Sequence, residues 1–297
     1  MPLKIIALPK VKEQHLTGIF GNFEEVVNAR IAELRESKLP SNQQRVKFFQ
    51  YLLDLVDPTQ YAAVQARFLD PDVVDKKSDM LKYLDPIVWF ESKLALAVRL
   101  GLDKAGPKRI LDLGTGPGHF PVVAAYFGHD VTGTDLPNRT TGVVEAGHLY
   151  GALCDVFKVS RIAHKITPTD DLKALKGPYD LVTSILTAFN VDAKKRPWTT
   201  EAWQDFFGRL RENVLAPNGS LFMSLSDNKL TPAVWARLKR NATWAVDQNK
   251  AIYFETLEPQ RNPGAKPTTR ARSTRRAPGE EQTEPSRAPA ESGEQSR

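Results

Sequence analysis

Apolar positions along the chain change their spacing near Pro107, and this change divides the sequence into two predicted regions. Before that point apolar residues recur at helical spacing; Val46, Phe49 and Leu52 belong to one such stripe, which is typical of an amphipathic helix. After it, short apolar runs alternate with helical segments. That alternation indicates parallel strands joined by helices.

Residues 1–85 are predicted to form a helical extension. Ser41 to Gln44 has the form of a capping box, which predicts that a helix begins there. Asp57-Pro58 is expected to end that helix, because the residue before a proline disfavours the helical conformation. A further helix is predicted over 61–69, so the extension contains helices and no strand.

Residues 86–257 are predicted to form an α/β domain with a doubly wound, mostly parallel sheet. The domain opens with a helix that begins at Pro86 and ends at Gly101. Asn218-Gly219 is predicted to be a turn into the fifth strand. The predicted strands lie at 110–113, 131–135, 161–167, 179–185, 220–225 and 251–255. The predicted helices between them lie over 120–127, within 139–157, over 200–214 and from Pro232.

Composition fits a globular protein of 297 residues with a net charge of +6. Cys154 is the single cysteine, which excludes an intrachain disulfide and favours the reducing cytoplasm as the location. The sequence has no run of about 18 consecutive apolar residues, so no membrane span is predicted.

The C-terminal segment, residues 258–297, is predicted to be disordered. From Pro259 onward it contains eight Arg or Lys residues, five Glu residues and no Leu, Ile, Val or aromatic residue. Such a segment cannot bury a core. Its basic excess leaves two interpretations open, a solubilising terminus or a contact with RNA.

The segment from Asp112 to Gly118 carries the most informative chemistry. Its three glycines follow a predicted strand and let the backbone approach a ligand closely. Asp135 ends the next strand, where an acid can bond a ribose diol. His119 stands where a dinucleotide fingerprint has its third glycine, and Asp112 would repel a pyrophosphate. The pattern therefore disfavours NAD and favours a ligand that carries positive charge.

Asp112 to Gly118 and Asp135 resemble the first and second motifs of the class I S-adenosylmethionine-dependent methyltransferases. The resemblance implies a Rossmann-like fold over 86–257, S-adenosyl-L-methionine as cofactor and methyl transfer to an oxygen or nitrogen. It also implies that the last strand inserts antiparallel and that the helical extension covers the cofactor. The run to Phe189-Asn190 resembles a bacterial subgroup, which favours a small-molecule or saccharide acceptor.

The resemblance extends to individual positions in this chain. Lys82 could meet the cofactor's carboxylate and Tyr83 could stack near it, although both could equally be solvated or packed residues. The family's third-motif acid is replaced by Ile166-Thr-Pro168, so Asp171 is the nearest acid that could reach the adenine, unless it caps a helix. The expected cofactor-binding residues are Lys82, Tyr83, Asp112, Gly114, Thr115, Gly116, Gly118, Asp135, Leu136, Asp171, Ser184 and Ile185.

The methyl acceptor is expected to meet Thr187, Asn190 and Trp198 after the fourth strand. Because this region has no Asn-Pro-Pro-Tyr motif, adenine N6 and glutamine amide acceptors are disfavoured. His148 and His164 are candidate proton acceptors, and no spacing predicts a metal site. An RNA methyltransferase and a non-catalytic cofactor-binding module remain alternative functions, and the sequence predicts no oligomeric state.

Overall fold

The computed structural model describes part of the chain, and every structural statement below concerns that part. The described residues are 21–37, 39–69, 79–137, 148–187, 189–191, 194, 196–225, 230–247 and 250–257. The predicted disordered segment 258–297 and the beginning of the predicted helix within 139–157 lie outside these residues. Among the described helices, none is long and apolar enough to cross a membrane.

Seven strands form one sheet in the order β3-β2-β1-β4-β5-β7-β6. The strands are β1 (Arg109–Leu113), β2 (Asp130–Asp135), β3 (Arg161–Ala163), β4 (Tyr179–Thr187), β5 (Leu215–Leu225), β6 (Trp244–Val246) and β7 (Ala251–Phe254). Strands β1 to β5 pair in parallel, whereas β7 is antiparallel to both β5 and β6. The predicted doubly wound sheet and its antiparallel last strand are confirmed. Because β1 lies between β2 and β4, the carboxyl ends of these strands border a crevice at the switch point.

Eight α-helices and two short 3₁₀ helices surround this sheet in the described part of the chain. The α-helices are α1 (Phe23–Glu36), α2 (Pro40–Leu55), α3 (Pro58–Leu69), α4 (Pro86–Arg99), α5 (His119–Tyr126), α6 (Leu149–Val156), α7 (Thr200–Asn213) and α8 (Pro232–Lys239). The 3₁₀ helices are Asp79–Leu84 and Lys173–Leu175. The helical character predicted for the extension is confirmed over its described residues.

The predicted capping box at the start of α2 is wrong. Helix α2 begins at Pro40, and Leu39 at its N-cap makes no side-chain capping bond. Ser41 therefore lies inside the first turn, where a proline at the preceding position already suits the helical geometry. Asp57 does end α2 as expected, and its Oδ1 also accepts a hydrogen bond of 2.8 Å from the Thr59 amide, which caps α3.

The helical extension packs into the same core as the sheet. The Phe48 ring lies 5.5 Å from Phe90 on α4 and 5.3 Å from Tyr126 on α5, measured between centroids. The Tyr61 ring lies 6.3 Å from that of Phe157, which directly follows α6. These contacts bury aromatic area on both sides of the predicted boundary at residues 85 and 86, so burial of that area stabilises the extension and the sheet together.

Three strands differ from the prediction. Strand β3 ends at Ala163 rather than at residue 167. The predicted turn at Asn218-Gly219 lies within β5, where the register advances from Tyr179↔Leu215 to Leu181↔Ser220. Strand β6 was not predicted, because three residues are too few to show an alternating pattern.

Candidate functional site

A central cavity opens at the carboxyl ends of β1, β2 and β4, with about 810 Å³ of empty space including the part open to solvent. The 3₁₀ helix before α4, together with α4, α5 and α6, completes its wall. Its lining consists of Tyr83, Trp89, Lys93, Asp112, Gly114, Thr115, Gly116, Pro117, His119, Phe120, Asp135, Tyr150, Ile185, Leu186 and Thr187. Eight of the predicted site residues are therefore brought together.

The glycine loop follows β1, and its three glycines have positive φ values of 67°, 56° and 84°. A Cβ on Gly114 would lie 2.3 Å from Thr187 Cγ2, and one on Gly118 would lie 2.9 Å from Val159 Cγ2. A Cβ on Gly116 would meet nothing closer than the Tyr150 ring at 3.9 Å. Gly114 and Gly118 therefore allow close protein packing, whereas Gly116 keeps the cavity side of the loop open.

The two acids of the motif hold this loop in place. Asp112 is 2% exposed and accepts hydrogen bonds from the hydroxyls of Thr115, at 2.9 Å, and Thr183, at 2.7 Å. Asp135 accepts hydrogen bonds from the amides of Gly116, at 3.1 Å, and Leu136, at 2.7 Å. A carboxylate accepts about four hydrogen bonds, so each acid keeps capacity for a ligand while it orders the loop.

Lys93 and Asp112 attract each other within the lining and form the charged group, and His119 also interacts electrostatically with Lys93. Burial lowers the pKa of Lys93 to about 8, against the opposing attraction of Asp112. Burial raises the pKa of Asp112 to about 6, although Thr183, Thr115 and Lys93 oppose the rise. Because water solvates these charges poorly, the free protein carries a cost that a complementary ligand can offset.

Burial and the neighbouring Lys93 lower the pKa of His119 to about 3, so the imidazole is neutral at physiological pH. His119 is 2% exposed, and its Nε2 atom has no hydrogen-bond partner in the described part of the protein. An unsatisfied buried nitrogen costs about 1–3 kcal/mol. A ligand in the cavity can supply the missing partner.

Sequence reasoning missed Lys93. The buried residues of α4 include Trp89, Phe90, Leu94, Leu96 and Ala97, and Lys93 falls on the same face by helical spacing. A lysine within such a stripe is unusual, because lysines are almost never buried without a partner. This one charged residue among apolar core positions was the sequence feature that could have identified Lys93 as a site residue.

Three aromatic side chains form an aromatic wall, defined as Tyr83, Trp89 and Tyr150. The centroid of Tyr83 lies 4.7 Å from that of Trp89 and 5.3 Å from that of Tyr150. The Trp89 Nε1–H donates a 2.7 Å hydrogen bond to the Lys82 carbonyl, which fixes the indole. The Lys82 ammonium lies 5.5 Å from the Tyr83 centroid, so Lys82 contacts the back of this wall and does not line the cavity.

The end of β4 supplies Ile185, Leu186 and Thr187 to the lining, as predicted for Ile185 and Thr187. The Thr187 hydroxyl donates a 3.1 Å hydrogen bond to the Leu113 carbonyl, which ties β4 to β1. Ser184 is fully buried and does not line the cavity. Alternation along a strand sends neighbouring side chains to opposite faces, which separates Ser184 from Ile185.

Several other predicted residues lie away from the cavity. Gly118 packs against Val159 and Cys154, and Leu136 contributes its amide to Asp135. Asp171 Oδ1 accepts a 3.0 Å hydrogen bond from the Lys173 amide, so it caps the second 3₁₀ helix instead of reaching the cavity. The alternative given for Asp171, a helix cap, is the one that the structure shows.

Asn190 and Trp198 were expected to meet the acceptor, but both lie in the protein interior. Asn190 is 0% exposed and its carbonyl accepts a 3.0 Å hydrogen bond from the Trp198 amide. Trp198 packs between Phe189 and Trp203, at centroid distances of 5.4 and 5.2 Å. The loop folds back on itself and turns its aromatic side chains into the core, so neither residue lines the cavity.

The two candidate proton acceptors also have other contacts. His148 Nδ1 accepts a hydrogen bond from the Tyr150 amide and caps α6. His164 directly follows β3 and its Nε2 hydrogen-bonds Asp170 Oδ2. Because β3 ends at Ala163, His164 and Asp170 lie in the segment after this strand, where the family's third-motif acid was expected. Among the described residues, no group of three His, Cys, Asp or Glu side chains is placed to hold a metal.

Comparisons with known proteins agree with this geometry. A family model described as a methyltransferase domain matches residues 90–258, which is more than half of the chain. The chain matches no curated protein. Among solved structures it is similar to a ribosomal protein L11 methylase from Lactobacillus delbrueckii subsp. bulgaricus, with 18% identity over 55% of this chain and 76% of that one, at a TM-score of 0.36.

A second similar structure is SAM-bound CalS10, an amino pentose methyltransferase from Micromonospora echinaspora, with 23% identity over 48% of this chain and 54% of that one, at a TM-score of 0.33. A third is TrmN from Thermus thermophilus, with 20% identity over 51% of this chain and 40% of that one, at a TM-score of 0.33. These likenesses are partial, and the assignment follows from the domain match. The chain belongs to the methyltransferase domain family and is an S-adenosylmethionine-dependent methyltransferase.

Proposed function

We propose that the central cavity binds S-adenosylmethionine and that the enzyme methylates an oxygen or nitrogen of a small molecule. One observation carries the proposal: a cation and an anion, Lys93 and Asp112, interact within the lining of a cavity that also contains Asp135 and the open side of Gly116. The ligand that matches this set has an amino-acid end and a ribose. S-adenosylmethionine has both.

The described residues offer partners for the carboxylate, the ammonium and the ribose of the cofactor. The Lys93 ammonium suits its carboxylate, and the Asp112 carboxylate suits its ammonium. Asp135 suits the ribose diol, because its oxygens keep acceptor capacity beyond the amides of Gly116 and Leu136. The unpartnered Nε2 of His119 adds one hydrogen-bonding atom. Lys93 thus takes the role that sequence reasoning gave to Lys82.

Lys93, Asp112 and Asp135 would hold S-adenosylmethionine, which would supply the methyl group of its sulfonium to an acceptor lone pair. The sulfur would keep the carbon–sulfur electron pair, and the acceptor's proton would pass to water. The chain's part is to position both reactants and to limit the access of water. Tyr83, Trp89 and Leu186 supply apolar surface for the second of these tasks.

A small molecule is favoured over RNA by the charge of the lining. The described part of the lining carries one cation, Lys93, and two carboxylates, Asp112 and Asp135. RNA binding depends on several lysines and arginines that neutralise phosphates. The aromatic wall is suited instead to a compact acceptor. The basic segment 258–297 is then the feature that supports an RNA acceptor as the alternative.

The test is calorimetry with S-adenosylhomocysteine on wild type, Lys93→Met and Lys82→Met. We expect micromolar binding by wild type and no binding of NAD. Lys93→Met should raise the Kd at least tenfold, the scale of a lost charge-assisted hydrogen bond. Lys82→Met is the matched control, since its ammonium lies behind the aromatic wall, and its Kd should stay within twofold of wild type.

Three results would contradict the proposal or a part of it. Tighter binding of NAD than of S-adenosylhomocysteine would overturn the cofactor assignment. A larger loss in Lys82→Met than in Lys93→Met would return the carboxylate role to Lys82. Cofactor binding with no turnover on any phenol, amine, sugar or RNA acceptor would favour the non-catalytic module.

A further inference from the structure

Leu186 is held in an unusual conformation at the rim of the cavity. Its φ is +56°, in the left-handed region that a bulky side chain adopts only at an energetic cost. The Leu186 side chain is also 52% exposed, and it is one of three exposed large apolar side chains in the described part of the chain. A strained backbone that presents an apolar side chain to solvent has no benefit for packing within the protein.

A β-bulge produces this placement. The register of β4 with β5 advances from Ile185↔Ser224 to Thr187↔Leu225, so two steps along β4 match one step along β5. Leu186 is the extra residue, and a bulge of this kind redirects the side chain of that residue. Thr187 anchors the far side through its hydrogen bond to the Leu113 carbonyl. The bulge thus directs Leu186 to the cavity that the aromatic wall also lines.

The aromatic wall offers ring faces, and its polar groups are the Trp89 Nε1–H and the hydroxyls of Tyr83 and Tyr150. The Trp89 Nε1–H is already bonded to the Lys82 carbonyl, and the Tyr83 ring packs between Trp89 and Tyr150. The side chains of Ile185 and Leu186 bring no polar atom. A saccharide would lose hydrogen bonds to water here without equivalent replacement, whereas a flat ring gains contact with aromatic faces.

We infer that the methyl acceptor is a planar aromatic molecule whose ring binds against the aromatic wall and Leu186. The inference rests on the proposed function, since it concerns the acceptor part of the same cavity. It selects one class from the small-molecule and saccharide acceptors that the sequence left open. The strained bulge is then a specificity device, because its cost is offset only when an apolar ring covers Leu186.

The experiment measures binding of 2-naphthol and of its saturated counterpart 2-decalol to the protein saturated with S-adenosylhomocysteine. We expect 2-naphthol to bind at least tenfold more tightly, because only the planar ring can lie flat against the wall. Leu186→Gly should weaken 2-naphthol binding five- to tenfold, with S-adenosylhomocysteine affinity kept within threefold. Because glycine accepts the positive φ, this variant should fold and its melting temperature should equal or exceed that of wild type.

Val98→Ala is the matched control, because Val98 is an exposed apolar residue of α4 that does not line the cavity. It should leave both affinities unchanged. Equal affinities for 2-naphthol and 2-decalol, or undiminished 2-naphthol binding by Leu186→Gly, would overturn the inference while the cofactor assignment stands. Failure of S-adenosylhomocysteine to bind wild type would instead overturn the proposed function.

Discussion

The charged group and the aromatic wall are two parts of one cavity, and they store free energy in different ways. Lys93, Asp112 and His119 are poorly solvated, so the free protein carries an electrostatic cost there. Beside the aromatic wall the cost is conformational, in the positive φ of Leu186. The comparison teaches that a ligand can offset the first cost through matching charges and the second by burying the Leu186 side chain against a ring, so each part is suited to a different reactant.

The largest effect is expected at Asp112. Asp112→Ala removes the acceptor of the Thr115 and Thr183 hydroxyls and leaves Lys93 without its counter-charge. We expect the free energy of unfolding to fall by about 2–4 kcal/mol, the scale for two buried hydroxyls that lose their acceptor, as measured by urea denaturation. Asp112→Asn is the control: it keeps the shape and a hydrogen-bond acceptor, so it should lose less stability. A loss below about 1 kcal/mol in Asp112→Ala would show that the charged group is not coupled as described.

The next effect concerns cofactor affinity. Asp135→Ala should weaken S-adenosylhomocysteine binding by about 1.5–3 kcal/mol, because charge-assisted bonds to the ribose are lost. Gly116→Val should weaken it at least as much, since its Cβ points to space that the protein leaves open. Calorimetry on folded variants measures both. Unchanged affinity in both would mean that the loop only supports the fold.

The pH dependence of ligand binding distinguishes the charged group from the aromatic wall. Asp112 is charged above its pKa of about 6, and Lys93 is charged below its pKa of about 8. Both charges coexist only between these values, so S-adenosylhomocysteine should bind most tightly there. On either side the Kd should rise by up to about tenfold per pH unit. His119, with a pKa of about 3, stays neutral throughout and adds no step.

Lys93→Met should remove the alkaline limb of this profile and keep the acidic one. Binding of 2-naphthol at fixed cofactor saturation should show neither limb, because its ring is proposed to contact the aromatic wall and Leu186 rather than Lys93 or Asp112. A wild-type profile that is flat from pH 5 to 9 would contradict the role of the Lys93–Asp112 pair.

The smallest effect is expected from a change outside both the charged group and the aromatic wall. Removal of residues 259–297 should change the melting temperature by less than about 2 °C and the cofactor affinity by less than twofold, since that segment has no Leu, Ile, Val or aromatic residue with which to pack. Thermal unfolding and calorimetry check this. A drop of several degrees would mean that the segment contacts the fold.

The cofactor side of the cavity was largely predictable. The glycine loop, Asp112 and Asp135 lie within one strand–loop–helix–strand segment, so short-range spacing placed them correctly. The acceptor side was predicted less well. Asn190 and Trp198 follow β4 as expected, yet both are buried, because the loop after β4 packs its aromatic side chains beside α7. Whether an aromatic residue of a loop faces a ligand or the core depends on a partner that is distant in sequence.

By itself, the sequence determined the alternation of strands and helices, the parallel sheet and the glycine loop that lines the cavity, because periodicity and glycine spacing act within a few residues. Only the tertiary structure decided that Lys93 is beside Asp112 and that Leu186 is the extra residue of a bulge. Both depend on register between segments tens of residues apart, α4 against β1 and β4 against β5. A local sequence pattern indicates which face of an element is buried. Only the packed structure shows which residues lie opposite that face.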